Sequence, residues 1–233
     1  MSSEQLIFPP GYVGGCKPRR YAPGQICRMA ADHIAIIPTA EWAGIIQERQ
    51  DARLSVRPYV QVIFDQGKVG SCATEAATQL VQTRQVLQGQ PFVQLNPWFM
   101  YHTTSGGRDQ GSSIDEDMDF ARQYGIAPES VWPRSKGWQT KPSEEAYTAA
   151  AEHKLDEFFD CVTVQEIGSC LLAGHLVQFG WKSHSELMIE LVSPTHALTI
   201  NSWNKSWGDN GAHEVPLSSV NFSYGAYAGR SAN

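Results

Sequence analysis

Apolar residues recur at helical spacing through the first half of the chain and at strand spacing through the second. From Ala73 the series Ala73, Ala76, Ala77, Leu80, Val81 and Leu87 keeps a period close to 3.6, and Gly89 supplies the stop. Asn96-Pro97 joins a capping side chain to a residue suited to a first turn, which starts a second helix over PWFMYHTT. A third helix is predicted over Ile114–Tyr124, ended by Gly125, a fourth over Ser143–Phe159 and a short fifth over Val164–Leu172. Upstream, TAEWAGIIQERQ at 39–50 fits a short amphipathic helix, and VRPYVQVIF at 56–64 an extended lead-in.

After Gly174 the pattern changes. HLVQFGW reads as a strand, and SELMIELV sets Leu187, Ile189 and Leu191 against Glu186, Met188 and Glu190 at period two. Ser193-Pro194 is a turn signal, HALTINSW the returning strand, and GDNG at 208–211 a second turn before strand-like segments to about Ala228. A helical half thus precedes a β half. The expected class is α+β, with two lobes and a cleft between them.

Composition narrows the partners. The 233 residues suffice for one substantial domain or two lobes sharing a core. A net charge of −6, with no basic run beyond Lys17-Pro18-Arg19-Arg20, argues against nucleic acid. No apolar run approaches the roughly 18 residues of a membrane span. The start, MSSEQLIFPPGYVGG, lacks the basic and apolar regions of a secretory signal, so a cytoplasmic or virion-associated protein is expected. The five cysteines are then expected as thiols, although Cys16 with Cys27 and Cys161 with Cys170 would close small loops under oxidising conditions. No CxxC pair and no HExxH helix points to zinc, and no cofactor is expected.

Cys72 stands where chemistry is expected. It opens the helix after Gly70-Ser71, and a helix N-terminus favours a thiolate. Gln66 lies six residues upstream, across the turn-prone Gly67-Lys68-Val69-Gly70, where its amide and the Cys72 N–H would form a donor pair for an oxyanion. A thiol nucleophile wants a base and an orienting partner. His33, His102, His153, His175 and His213 have no second feature beside them and read as solvated or satisfied side chains. His196 and Asn201 would share one strand, roughly 16 Å apart and on opposite faces. His184 opens the first strand of the hairpin and Asn201 lies near the end of the second, so the Ser193-Pro194 turn brings that pair together. Asp115-Glu116-Asp117-Met118-Asp119 starts like a calcium loop, but Phe120 and Ile126 stand where glycine and glutamate belong. The acids read instead as a helix N-terminus.

These residues resemble the papain-like cysteine peptidase family in a compact bacterial or viral form. The likeness is carried by Gln66-Gly67…Gly70-Ser71-Cys72, by Asn201-Ser202-Trp203 with Ser206-Trp207-Gly208-Asp209-Asn210-Gly211, by Gln123-Tyr124-Gly125-Ile126 and by Ser130-Val131-Trp132-Pro133. It spans roughly residues 56 to 228. It implies a papain-like fold, a helical lobe at about 66–160 followed by an antiparallel β-barrel-like lobe at about 161–230, with 51–65 as lead-in to the catalytic domain 51–233. It implies Cys72 as nucleophile, His184 as acid/base, Asn201 as its orienting partner, Gln66 as oxyanion donor and Trp203 as a shield over the His–Asn pair. Gly111-Ser112 would hold an extended substrate by its backbone, with Gly106-Gly107 as a rival. The implied activity is that of a cysteine endopeptidase acting on proteins or peptides.

Several positions depart from the family pattern. Val69 replaces its usual cysteine, Ala73 its aromatic and Asn204 its glycine, and a loop before His184 is missing. The lost loop, Ala73 and Asn204 motivate a second reading, a papain-like subunit kept for structure or binding, for example in a virus particle; a third is an acyltransferase, since the same triad can pass its acyl group to an amine instead of water. Residues 1–50 are expected as an N-terminal arm packed on the β lobe, or as a short inhibitory pro-segment that brings Gly14-Gly15-Cys16 towards Cys72.

Overall fold

The computed structural model describes residues 8–230. Among these residues six α-helices form: α1 (Trp42–Asp51), α2 (Cys72–Leu87), α3 (Pro97–Thr104), α4 (Ile114–Gln123), α5 (Glu144–Ala150) and α6 (Val164–Leu172). The strands are β1 (Cys16–Lys17), β2 (Arg28–Met29), β3 (Ser112–Ser113), β4 (Glu157–Asp160), β5 (Leu176–Trp181), β6 (His184–Ser193), β7 (His196–Ile200), β8 (Ala212–Pro216) and β9 (Ala226–Arg230). β1 and β3 pair alone. The other seven form one sheet in the order β2-β4-β9-β5-β6-β7-β8. Its ladders are antiparallel except β2–β4. The architecture is α+β, and the sheet stays open between its edge strands β2 and β8 instead of closing into a barrel.

Caps and turns explain most helix limits. The Asn96 side chain accepts from Trp98 N at 2.9 Å, ahead of Pro97. Thr163 and Glu166 make a reciprocal capping box at the start of α6. The predicted fourth helix is shorter than its sequence suggests. It ends at Ala150, and Glu157–Asp160 joins the sheet as β4 instead. The paired Phe158 and Phe159 suit a strand with both faces covered, where each ring is almost fully buried.

The sheet divides two cores. On one side α2, α3 and α4 pack over Leu176, Leu187, Ile189 and Tyr227. On the other, α1 and α6 cover Val177, Phe179, Met188 and Val215. Helix α2 runs through the middle and is buried on every face from Cys72 to Thr83. Its polar residues therefore need internal partners. Thr74 and Thr78 donate back to the helix carbonyls of Ser71 and Thr74, Gln79 donates to Thr83, and Glu75 pairs with Arg134. The residues before α2 are not merely peripheral. β2 extends the sheet, and α1 inserts Trp42 against Gly168 of α6, where a side-chain carbon at 168 would fall 2.2 Å from the indole.

All five cysteines are free thiols, with Cys161 and Cys170 facing each other at 3.8 Å. Among the described residues no helix is long and apolar enough to cross a membrane.

Trp42 is 1% exposed and fills the seam between α1 and α6. Trp42→Ala is expected to cost about 3–5 kcal/mol of stability, read as a lower midpoint in chemical denaturation.

Candidate active site

The site forms where the start of α2 meets the ends of β5, β6 and β7. A two-residue turn, Lys182-Ser183, links β5 to β6, and both residues have positive φ, 46° and 64°. Such a turn matches the twist of an antiparallel hairpin, and here it pairs Trp181 directly with His184. It takes the place of the missing loop and fixes His184 as the first residue of β6. The Ser183 carbonyl points at the Cys72 thiol, 4.0 Å from Sγ.

His184 is fully buried. Its Nε2 lies 2.9 Å from Asn201 Oδ1, and its ring stacks on Trp203 with centroids 4.6 Å apart and planes 23° from parallel. Asn201 Oδ1 also accepts from Ser202 N at 2.7 Å. Gln66 is held at both ends of its amide. Oε1 accepts from Ser202 Oγ at 2.6 Å, and Nε2 donates to the carbonyls of Val69 and Val13 at 2.9 and 3.0 Å. The backbone stitches these parts together: Gln66 N donates to Ser202 O, and Asn204 N to Phe64 O. Gln178 on β5 pins the first turn of α2 by donating to Ala73 O at 2.8 Å. Cys72, His184, Asn201, Gln66 and Trp203 thus converge from positions up to 137 residues apart, counting from Gln66 to Trp203.

Solved structures share this architecture. Xylellain, a cysteine protease from Xylella fastidiosa, superposes with a TM-score of 0.67 at 18% identity, over 96% of this chain and 97% of that one. The fold is papain-like. The digestive procathepsin L 3 of the Tenebrio molitor larval midgut gives a TM-score of 0.62 at 16% identity, over 75% of this chain and 68% of that one. A Carica candamarcensis cysteine protease in complex with E-64 gives 0.59 at 14%, over 76% and 96%. No family model matches the chain, and no curated protein matches its sequence.

In this papain-like frame the cleft is filled by the chain's own N-terminal segment. Phe8 meets the edges of His184 and Trp203, with centroids at 5.5 and 5.3 Å. The Tyr12 hydroxyl donates to Asp65 at 2.8 Å and accepts from Asn204 Nδ2 at 2.7 Å. Val13 gives its carbonyl to Gln66, Cys16 N donates to Ser183 O, and Ser112 N donates to Gly15 O. β1 and β3 then run parallel, with Cys16 opposite Ser112. Glycines make this approach feasible. A side-chain carbon on Gly15 would fall 1.8 Å from Gly70 O, and one on Gly111 2.0 Å from Gly15 O. Gly111-Ser112 therefore faces the segment, whereas Gly106-Gly107 closes α3 by donating to Thr103 and His102 carbonyls. Past the cleft the segment is anchored by Asp115, which accepts from Arg20 N and Tyr21 N at 2.7 and 2.8 Å, and by the Arg19–Asp160 ion pair.

Burial under this segment sets the resting charge state. It pushes the Cys72 thiol up to about 12, against backbone groups of Gly15, Ser185 and Ala73 that favour the thiolate. Burial also holds His184 below the usual imidazole range, against the pull of Glu186 and Asn201. The pair rests as neutral thiol and neutral imidazole. With the cleft open to water the desolvation cost falls, and a proton can pass from sulfur to the ring.

Two features escaped the sequence reading. Asp109 ties the two loops that flank the cleft, accepting from Gly70 N at 2.9 Å and from the Tyr101 hydroxyl at 2.6 Å. Glu186 is fully buried behind Asn201 and bonded to His213, whose partner sits 27 residues away. The one available signal was the spacing of His184 and Glu186, two apart on a strand and hence on the same face.

Gly15→Val is expected to unseat the segment and raise the rate of Cys72 alkylation by iodoacetamide on the order of tenfold or more at neutral pH. Buried Cys161 and Cys170 should stay protected. Peptide mapping of the labelled chain checks this, and an unchanged Cys72 rate would mean that the segment is not what shields the thiol.

Proposed function

We propose that the chain is a cysteine endopeptidase whose cleft is occupied at rest by its own residues 8–17. The observation that carries this is the hydrogen bond from Gln66 Nε2 to the Val13 carbonyl, 3.0 Å long, beside a buried Cys72 and a His184–Asn201 pair. A peptide carbonyl already lies against the donor that an acyl-transfer reaction requires.

In this reading the Cys72 proton passes to His184 Nδ1, and the thiolate attacks the carbonyl carbon of a bound peptide. The electron pair moves to the carbonyl oxygen, where Gln66 Nε2–H and the Cys72 N–H stabilise it. Collapse breaks the C–N bond, and His184 gives its proton to the leaving amine. Water, deprotonated by His184, then hydrolyses the thioester and frees Cys72. Trp203 keeps water from the His184–Asn201 hydrogen bond. Ser112 N and Ser183 O are the backbone groups that an extended substrate would use, because the N-terminal segment uses them now.

Internal cleavage is favoured over trimming of chain ends. The segment runs past Cys72 on both sides, towards Trp203 through Phe8 and Tyr12 and along Ser112 through Cys16 and Lys17. A cleft that holds a continuous chain on both sides suits an endopeptidase. Residues 8–17 act as a built-in inhibitor by taking the same donors and acceptors as a substrate. The complete burial of Cys72 and His184 also favours a second reading, in which the segment never leaves and the chain serves as a structural subunit.

One experiment separates these. A fluorogenic protein substrate is offered to the full chain and to its Gly15→Val variant. The variant is expected to hydrolyse it well above the wild-type rate, Cys72→Ala in that background to lose all turnover, and Gln66→Ala to lose about 10²–10³ in kcat. No hydrolysis by a well-folded Gly15→Val chain, despite a labelled Cys72, would sink the peptidase reading and leave the structural one.

A further inference from the structure

We infer that Glu186, bridged to His213, is a positioning residue for the proposed peptidase: it fixes the orientation of the Asn201 amide and supplies the charge against which His184 becomes imidazolium. The inference rests on the peptidase reading for its role in turnover, and on the geometry for the rest.

Glu186 follows His184 by two positions on β6 and is fully buried, yet its carboxylate is thoroughly partnered. Oε1 accepts from Asn201 Nδ2 and from Trp181 Nε1 on β5, both at 3.2 Å. Oε2 lies 2.6 Å from His213 Nε2 on β8, and the His213 backbone carbonyl accepts from the Thr199 hydroxyl on β7 at 3.0 Å. Groups from β5, β8 and the residue just after β7 therefore converge on one carboxylate of β6. Burial alone would push its pKa up, but the hydrogen bond to His213 and the protonatable imidazoles of His213 and His184 beside it hold it below the usual glutamate range. His213 is the outlet to solvent, with a side chain 24% exposed.

The consequence passes through the amide. An ionised carboxylate only accepts hydrogen bonds, so the Asn201 nitrogen must face Glu186. Its oxygen then faces His184, where it accepts from Nε2 and from Ser202 N. An oxygen at that place requires the His184 proton on Nε2. Nδ1, which has no hydrogen-bond partner among the described residues, is left as the unprotonated atom that can take the Cys72 proton. Glu186 Oε1 is itself 3.7 Å from His184 Nε2, close enough to favour the imidazolium once it forms. The titratable groups around the carboxylate are His184 and His213. Those acting on His184 are Glu186, which favours its charged form, and His213, which opposes it, with Asn201, Trp203 and Phe8 as neutral neighbours.

The test uses the full chain with Gly15→Val to open the cleft. Glu186→Gln keeps the shape but removes the charge, and its amide can offer a donor to Asn201. It is expected to lower kcat with little change in KM, and to move the alkaline limb of the kcat/KM profile down by about one pH unit. Glu186→Asp, which keeps the charge, should restore most of that limb, whereas His213→Gln, which removes an imidazole whose charge opposes protonation of His184, should not lower it. Nitrogen-15 NMR of the imidazoles supplies a readout without turnover. His184 should hold its Nε2–H tautomer in the parent chain and lose it, with a lower pKa, in Glu186→Gln. Thermal melts identify any variant that fails to fold, and if Glu186→Gln is one, the His184 tautomer of Glu186→Asp carries the test, with loss of the Nε2–H form in that charge-keeping variant counting against the inference. An unchanged profile and an unchanged His184 tautomer in folded Glu186→Gln would overturn the inference while leaving the peptidase reading intact. If no variant turns over substrate, the peptidase reading falls, and the NMR arm alone decides what Glu186 does.

Discussion

Two backbone hydrogen bonds, Gln66 N to Ser202 O and Asn204 N to Phe64 O, carry the geometry of the whole cleft. They lash the segment that leads into α2 to the segment that leaves β7. Each is worth on the order of 1 kcal/mol in net stability. Their larger effect is on registry, since a one-residue slip would turn the side chains on either strand to the opposite face. With them in place, Gln66, Asn201 and Trp203 have fixed neighbours, and the buried N-terminus of α2 brings Cys72 to the same point. Glu75, in the first turn of that helix, is held by Ser71 and by Arg134, whose guanidinium also lies over the Trp98 ring at 4.3 Å. Cys72 thus stands on a helix clamped from three directions.

Glycine distribution shows how closely the N-terminal segment and the cleft are matched. Gly15, Gly70 and Gly111 meet backbone to backbone, and no side chain larger than hydrogen fits at Gly15 or Gly111 without displacement. Such contact gains little from apolar burial. It gains instead from short hydrogen bonds formed where water has been expelled, which is the environment that also keeps Cys72 and His184 uncharged. Occupation of the cleft and suppression of the ion pair are one physical event.

Much of this was legible in the sequence, and what was not had no local signature. Asn96-Pro97 and Thr163 with Glu166 announce their helices because capping is a matter of three or four adjacent residues. The contact of His184 with Asn201 follows from the length of two strands and the turn between them. The fourth helix was overextended because Ala149 to Phe159 has no strong stop, and the pairing of β4 with β9, some 70 residues on, decides its end. For the path of residues 8–17 the sequence offers only the small Gly14-Gly15-Cys16 as a hint. That path is set one hydrogen bond at a time by Gln66, Ser112 and Ser183, far along the chain. The Glu186–His213 bridge was hidden for the same reason, and because a buried carboxylate breaks the expectation that such a strand position is apolar.

The anchors at Arg19, Arg20 and Tyr21 give the segment a property that its contacts within the cleft do not. When residues 8–16 lift away, Asp115 and Asp160 still hold the chain a few residues downstream. The displaced strand remains a tethered competitor, present near the cleft at an effective concentration on the order of millimolar whatever the dilution of the protein. If the cleft takes peptides as proposed, a foreign one would contend with a local population that never diffuses away. Latency of this kind would not depend on protein concentration, and a single cut between the cleft and the anchors would convert it at once into ordinary, dilutable inhibition.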